Sequence, residues 1–123
     1  MSENAFFLRR MNDHIQYLGK LKATLEDRGD FQGSDHHSCK LGKWLDTDGP
    51  AQSSAIGDDA RHIFDSILEP HRQFHQASQQ ALDCKKTGDT GGMEEAMTKM
   101  FKLSAQLVNI LMQLDTMSHR NPS

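Results

Sequence analysis

The sequence has few of the features that build disulfide scaffolds, membrane spans or nucleic-acid surfaces. It contains two cysteines, Cys39 and Cys84, in 123 residues, too few for a disulfide framework. No apolar run approaches the roughly 20 residues that cross a bilayer, and no signal peptide is visible. The net charge of −3 excludes the strongly basic surface of a nucleic-acid binder. We therefore expect a cytoplasmic protein that has no membrane span and does not bind nucleic acid.

Helical periodicity is the main structural signal that the sequence does contain. Apolar residues recur three or four positions apart in three long segments, whereas no segment alternates as a strand would. These long helices are predicted at 3–28, 54–86 and 93–118. Loops are predicted near 29–37, 47–53 and 86–92. A short helix over 38–46, capped by Asp35 or Ser38, and a stop at Gly29 complete one all-α domain over 1–123, an antiparallel bundle.

Two features of the long helices go beyond a simple bundle. Pro70 lies inside the second one, where its missing N–H should bend the helix or split it. The third helix is apolar on several sides, which the neighbours in one small bundle cannot cover. Its main stripe consists of Met93, Met97, Met100, Ser104, Leu107, Leu111 and Leu114. We therefore expect a second protomer and a symmetric homodimer.

Three of the seven histidines lie on predicted apolar faces. His14 is on the stripe of the first helix, either as a metal ligand or as a buried imidazole bonded to a neighbouring helix. His71 and His75 are four residues apart, so their side chains project to one side of the helix, one turn apart. That spacing suits a pair of metal ligands, although H-x-x-x-H also arises by chance in a chain rich in histidine.

Cys39 supplies a candidate sulfur ligand. It is predicted in the first turn of the short helix, where the helix N-terminus favours the thiolate. Lys40 and Lys43 nearby would either lower the thiol pKa further or simply be solvated. The alternative is a small buried apolar residue. One thiolate with three imidazoles matches tetrahedral zinc and argues against magnesium, calcium or manganese. Four protein ligands would close the site, which favours a structural or sensory metal over a hydrolytic one.

The other histidines and the second cysteine fit this set less well. His36 and His37 are adjacent, and adjacent residues of a regular element cannot both face one site. His62 is expected on a solvated helix face, and His119 in the C-terminal tail. Cys84 falls near the end of its helix and is expected to be an ordinary free thiol.

The stretch HHSCKLGKWL, followed by EPHRQFH, resembles the chemoreceptor zinc-binding (CZB) domain family. That family has a Cys-x-x-Gly-x-Trp core, an upstream histidine on the first helix and a downstream H-x-x-x-H. The matching residues here are Cys39, Gly42 and Trp44 for the core, His14 upstream, and His71 with His75 downstream. The resemblance covers nearly the whole chain and implies a small dimerising helical bundle that holds Zn²⁺ by three histidines and one cysteine.

The resemblance also implies a sensory role. Such domains usually accompany chemoreceptors or diguanylate cyclases, and some respond to zinc itself, others to hypochlorous acid through the zinc-bound cysteine. No output domain is attached here, so we expect either a stand-alone member that docks on a signalling partner or a domain excised from a longer protein. Zinc occupancy, or oxidation of Cys39 to a sulfenic acid, would give the signal. Gly42 and Trp44 would seat the helix that carries this cysteine.

Two other functions are open. A zinc enzyme with three ligands and a bound water would need a carboxylate base. Asp13 and Glu69 adjoin expected ligands in sequence, but neighbours on a helix point in different directions, so we expect no enzyme. A dimeric adaptor, metal-free or stapled by structural zinc, would use its histidines in structural roles.

Overall fold

A computed structural model describes residues 6–120, and they form six helices. The helices are α1 (Phe6–Leu25), α2 (Lys40–Asp46), α3 (Gly49–Ile56), α4 (Asp58–Asp65), α5 (Leu68–Thr87) and α6 (Thr90–Arg120). No strand occurs among these residues, which confirms the all-α prediction. Within the same range, none of the helices has the length and apolar character needed to cross a bilayer.

The long helices α5 and α6 form an antiparallel hairpin, because only Gly88 and Asp89 join them. Gly88 takes the left-handed φ of 76° that ends α5, a conformation that glycine adopts at little cost. Asp89 then begins α6, its Oδ1 accepting the backbone N–H of Gly92 at 2.9 Å. The predicted loop over 86–92 is therefore a tight turn of two residues.

The first helix, α1, runs in the same direction as α5. His14 lies edge-on to Phe74 near the middle of the two helices, and Asp27 is paired with Lys85 at their far ends. The chain can return in this direction because α2, α3 and α4 carry it back to the start of the bundle. The helix ends at Leu25 rather than near Gly29, since Asp27 already adopts a left-handed φ of 62°.

The prediction of one helix over 54–86 is wrong, because three separate helices cover this part of the chain. The first break is at Gly57. The second is at Ser66 and Ile67, whose backbone N–H groups bond to carbonyls three residues earlier and so end α4. Pro70 lies in the first turn of α5, where its missing N–H would have no helical partner. The split expected near this proline therefore occurs just before it.

The predicted loop over 47–53 is also wrong in part, because α3 begins at Gly49. Pro50 stands in its first turn, a favoured position for proline. The side of α3 that faces the core of the bundle includes Ser53, a polar residue that is fully buried. A helix whose buried side contains glycine and serine has no apolar stripe, so the periodicity does not reveal it.

Trp44 fastens α2 to the bundle. Its indole makes edge-to-face contacts with Phe7 of α1, at 5.8 Å between ring centroids, and with Phe64 of α4, at 5.6 Å. The indole Nε1 donates a hydrogen bond of 2.7 Å to Gln52 Oε1 of α3. One side chain thus ties α2 to three other helices.

The apolar stripe predicted for α6 is buried. Met100, Leu107, Leu111 and Leu114 have no exposed surface, and Ser104 is also buried. The adjacent side of this helix is different, because Phe101 and Met112 remain 38% and 53% exposed. Both side chains are thus only partly covered by the residues that the structure describes.

Gly42 is required where α2 meets the preceding loop. A Cβ atom at this position would lie 1.8 Å from the carbonyl oxygen of His36, whereas a Cβ at Gly19 in α1 would meet nothing within 4 Å. We expect Gly42→Ala to lower the free energy of unfolding by about 1–3 kcal/mol, since backbone must move. Gly19→Ala, the matched control, should raise it by about 0.5–1 kcal/mol.

Urea unfolding of both variants in the presence of a chelator measures this difference without a contribution from bound metal. Equal effects of the two substitutions would contradict the close approach at Gly42.

Candidate metal centre

Cys39 is the residue that begins α2. It is the N-cap itself rather than a first-turn residue, and its Sγ accepts the backbone N–H of Gly42 at 3.2 Å. The expected caps do not act on α2, because the Asp35 carboxylate instead accepts the backbone N–H groups of His37 and Ser38, at 2.9 Å each. The sulfur is thus held at the end of the helix by the backbone.

His71 and His75 lie in the first two turns of α5. Their ring centroids are 4.8 Å apart, and both side chains are buried. Ile67 and Phe74, which are fully buried, hold this side of the helix against the core. The spacing of four residues therefore has the predicted effect, since both imidazoles face the same interior space.

The structure brings Cys39, His71 and His75 together. Their ligand atoms all lie within 4.8 Å of one another, and Cys39 Sγ is 3.3 Å from His71 Nε2. One sulfur and two imidazole nitrogens, gathered from α2 and α5, form a donor set typical of zinc.

The loop before α2 orients His75. The backbone carbonyl of Ser34 accepts a hydrogen bond of 2.9 Å from His75 Nδ1, which leaves Nε2 free for the site. Tyr17 Oη accepts the backbone N–H of Ser34 at 2.8 Å and lies 3.3 Å from the same Nδ1. Neither Ser34 nor Tyr17 is predicted from the sequence, because a lone tyrosine on α1 and a serine in a loop form no recognisable pattern.

His14 is buried but stands outside this group. Its Nε2 is hydrogen-bonded to Ser104 Oγ of α6 at 2.8 Å, and its ring lies edge-on to Phe74 at 4.6 Å. His14 is near enough for its charge to lower the pKa of His71, although burial and His75 do more. Its role as the fourth ligand stays a prediction. Ser104 interrupts the apolar stripe of α6, and that interruption was the signal of a polar partner.

Burial keeps the three histidines neutral at physiological pH. It lowers the pKa of His14 from 6.5 to about 4 and that of His71 to about 3, with a smaller effect of His75 on each. Burial also lowers the pKa of His75, although the bond to Ser34 opposes this shift. Neutral imidazole is the form that binds metal, so no proton has to leave these rings.

The Cys39 thiol differs from the expectation of a helix-activated thiolate. Burial raises its pKa, and the backbone N–H groups of Gly42 and Leu41 oppose this shift without reversing it. A coordinated metal would supply the missing positive charge, because a thiol bound to zinc is deprotonated outright. The site therefore suits a metal cation, whose positive charge would stabilise the Cys39 thiolate.

His36 and His37 lie beside the cluster rather than in it. The His36 ring is 6.1 Å from that of His71 between centroids, and the His37 Nδ1 is 2.8 Å from Asp46 Oδ2. The loop thus folds over the site, but neither residue belongs to the group that could hold the metal. His62 is exposed, as expected for a solvated helix face.

The carboxylates next to the expected ligands are engaged elsewhere. Asp13 Oδ2 is 3.3 Å from Arg10 Nε on the same helix. Glu69 is paired with Arg72 and also accepts a hydrogen bond from Gln73, and these bonds hold its pKa at about 2. Both carboxylates are thus paired with side chains of their own helices.

Comparison with known families identifies the chain. A model of the chemoreceptor zinc-binding domain family matches residues 14–82, more than half of the sequence. The chain belongs to this family. No curated protein and no solved structure matches it.

The matched range fits the geometry of the CZB domain's metal centre. It begins at His14 and includes Cys39, His71 and His75. The CZB family is a zinc-binding signalling family rather than a catalytic one, and this chain places a Cys/His group ready to hold the metal. Zinc is thus the cofactor of this domain.

We expect the stability of the metal-free CZB domain to fall as the pH drops from 6.5 toward 4. In this range the imidazoles of the unfolded chain bind protons, whereas the buried imidazoles of the folded domain stay neutral. The pKa of His14 in the folded domain is about 4. Each such histidine adds a slope of up to about 1.4 kcal/mol per pH unit. Urea unfolding across this range in chelator should therefore give a shallower slope for His14→Gln.

His62→Gln is the matched control, since His62 is exposed and should leave the slope unchanged. A slope that is the same in wild type and His14→Gln would show that this imidazole is not kept neutral by burial.

Proposed function

We propose that this chain is a cytoplasmic sensory domain that holds zinc through Cys39, His71, His75 and His14. Its signal is the occupancy of this site or the oxidation of Cys39. The observation that carries the proposal is the grouping of one sulfur and two imidazoles from separate helices within 4.8 Å. Zinc, when bound, supplies a positive charge that keeps the thiol ionised and joins α1, α2 and α5 at one point.

Cys39 is the ligand best placed to leave the site. It caps a helix of seven residues, whereas His71 and His75 lie within a helix of 20 residues. The thiolate sulfur attacks one oxygen of an oxidant such as hydrogen peroxide and the O–O bond breaks. One OH group stays on the sulfur as a sulfenic acid, a poorer ligand, and the other leaves as hydroxide. Loss of the sulfur ligand frees the start of α2 while the histidines stay in place.

Two contacts can carry this change away from the metal centre. Ser34 and Tyr17 connect His75 to the loop before α2, and Ser104 connects His14 to α6. Because α6 is the longest helix of the bundle, a shift at Ser104 reaches the exposed residues Phe101 and Met112 on the same helix. We propose that this side of α6 associates with a second copy and transmits the change to a chemoreceptor or a diguanylate cyclase.

Zinc affinity tests the ligand set. We expect Cys39→Ala and His71→Ala each to weaken zinc binding at least about a hundred-fold, since roughly 10–16 kcal/mol of binding free energy is shared among four ligands. Competition with a chromophoric chelator measures this change, and His14→Ala should behave in the same way. His62→Ala is the control, and its affinity should equal that of the wild type.

A purified protein without stoichiometric zinc, or ligand variants with unchanged affinity, would favour the metal-free adaptor. If the wild type binds zinc but releases none after one equivalent of peroxide, the zinc is a structural staple and the redox signal is refuted. Zinc release that tracks the oxidation of Cys39 supports the sensor.

The association of two copies is tested on α6. We expect Met112→Glu to convert a dimer to a monomer, because a charge would then lie in a desolvated interface. Analytical ultracentrifugation measures the state directly. Gln106→Glu adds the same charge at an exposed position on another side of the helix and should leave the dimer intact. A wild type that stays monomeric at high concentration would contradict the proposal.

A further inference from the structure

Cys39 opens onto a groove of about 330 Å³ between α1, the loop before α2, and α2 itself. Tyr17 and Phe31 form one wall, with their rings edge-to-face at 5.0 Å between centroids. Ser34 and Ser38 from the loop complete the lining beside the cysteine. Of the three clustered residues Cys39, His71 and His75, Cys39 is the one that lines this groove.

The mouth of this groove is positively charged. Lys40 and Lys43 follow Cys39 on α2, and Lys43 lies one turn after the cysteine, on its side of the helix. Lys20 comes from α1 and places its Nζ 5.7 Å from the centroid of the Phe31 ring. Three lysines from two separate helices thus line one groove.

The acidic groups near the groove do not cancel these charges. Asp13 is the one carboxylate in its lining, and Arg10 lies 3.3 Å from it. Asp35 is close enough to raise the pKa of Cys39 slightly, but its carboxylate faces the backbone N–H groups of His37 and Ser38. The groove therefore carries an excess of positive charge.

A second groove at the metal centre has the reverse character. This groove of about 380 Å³ reaches His71 and is lined by Asp46, Asp65 and Glu69, with Arg72 as its one basic residue of fixed charge. The positive groove at Cys39 is thus a local feature of a chain whose net charge is −3. Of these two grooves, the positively charged one is the groove that Cys39 lines.

We propose that the groove is an entrance that delivers small anionic thiol-reactive compounds to Cys39 in preference to neutral compounds of equal reactivity. This inference rests on the proposed function, in which Cys39 is the reactive ligand. The lysines raise the local concentration of an anion at the opening, an effect that can increase association rates by ten-fold or more and is screened by salt.

Two aromatic disulfides provide matched probes. Dithiobis(nitrobenzoate) is a dianion, and dithiodipyridine is uncharged at neutral pH. In both reactions the Cys39 sulfur attacks one sulfur of the probe, a new disulfide forms, and the other half of the probe leaves as a thiolate that takes the electron pair. The bond changes are the same, so a substitution that alters the rate with the anionic probe and not the rate with the neutral probe reports charge.

The experiment uses the zinc-loaded protein carrying Cys84→Ser, so that Cys39 is the one thiol. We expect replacement of Lys20, Lys40 and Lys43 by glutamine to lower the rate with the anionic probe by about ten-fold at low salt, and to change the rate with the neutral probe less than twofold. Added salt should reduce the difference between wild type and variant. The control replaces Lys86, Lys99 and Lys102 by glutamine, which changes the net charge equally away from the groove.

An equal effect of the two triple substitutions would overturn the entrance, because net charge alone would then explain the rates. Parallel slowing of both probes would overturn it as well, since the lysines would then act on the thiol and not on the anion. Zinc release is followed in the same reactions by a chromophoric chelator. Modification of Cys39 without release would refute the proposed sensor while leaving the selection of anions standing.

Discussion

The contact between Gly42 and Cys39 Sγ joins the folding of α2 to the chemistry of the metal centre. The backbone N–H of Gly42 donates to the sulfur at 3.2 Å, so the atom that caps the helix is also the atom that faces His71. This geometry requires a glycine, because the His36 carbonyl occupies the space of a Cβ. Any change at the sulfur is therefore also a change at the start of a helix.

The interior of the bundle holds polar groups, and the free-energy cost of burying each one depends on its hydrogen-bond partners. Three imidazoles are buried, and each has a hydrogen-bond partner on another element: His14 pairs with Ser104, His75 with Ser34, and His71 with Cys39 Sγ. Leaving such a group unpaired costs about 1–3 kcal/mol, so these bonds keep the metal-free core folded. Because their partners lie on α6, in the loop before α2 and at the start of α2, these bonds also connect the site to other elements of the bundle.

Periodicity predicted the long helices well, because each buries a continuous apolar stripe. It failed over 47–67, where α3 buries Gly49 and Ser53 and where a glycine and a tight turn interrupt the chain. It could not place the break before Pro70 either, since proline is tolerated in a first turn as readily as it ends a helix. Local backbone hydrogen bonds decided these helix boundaries, and such bonds can hardly be predicted from the types of residue in the sequence.

The sequence by itself determined the helical class, the pairing of His71 with His75, and the kind of metal, because spacing and ligand chemistry are local properties. The tertiary structure alone decided that Cys39 meets this pair across 32 residues, that Ser34 and Tyr17 orient His75, and that His14 is bonded to Ser104. It also gathered three lysines from two helices around the sulfur. Such contacts depend on how the helices pack, and no periodicity along the chain records which faces meet.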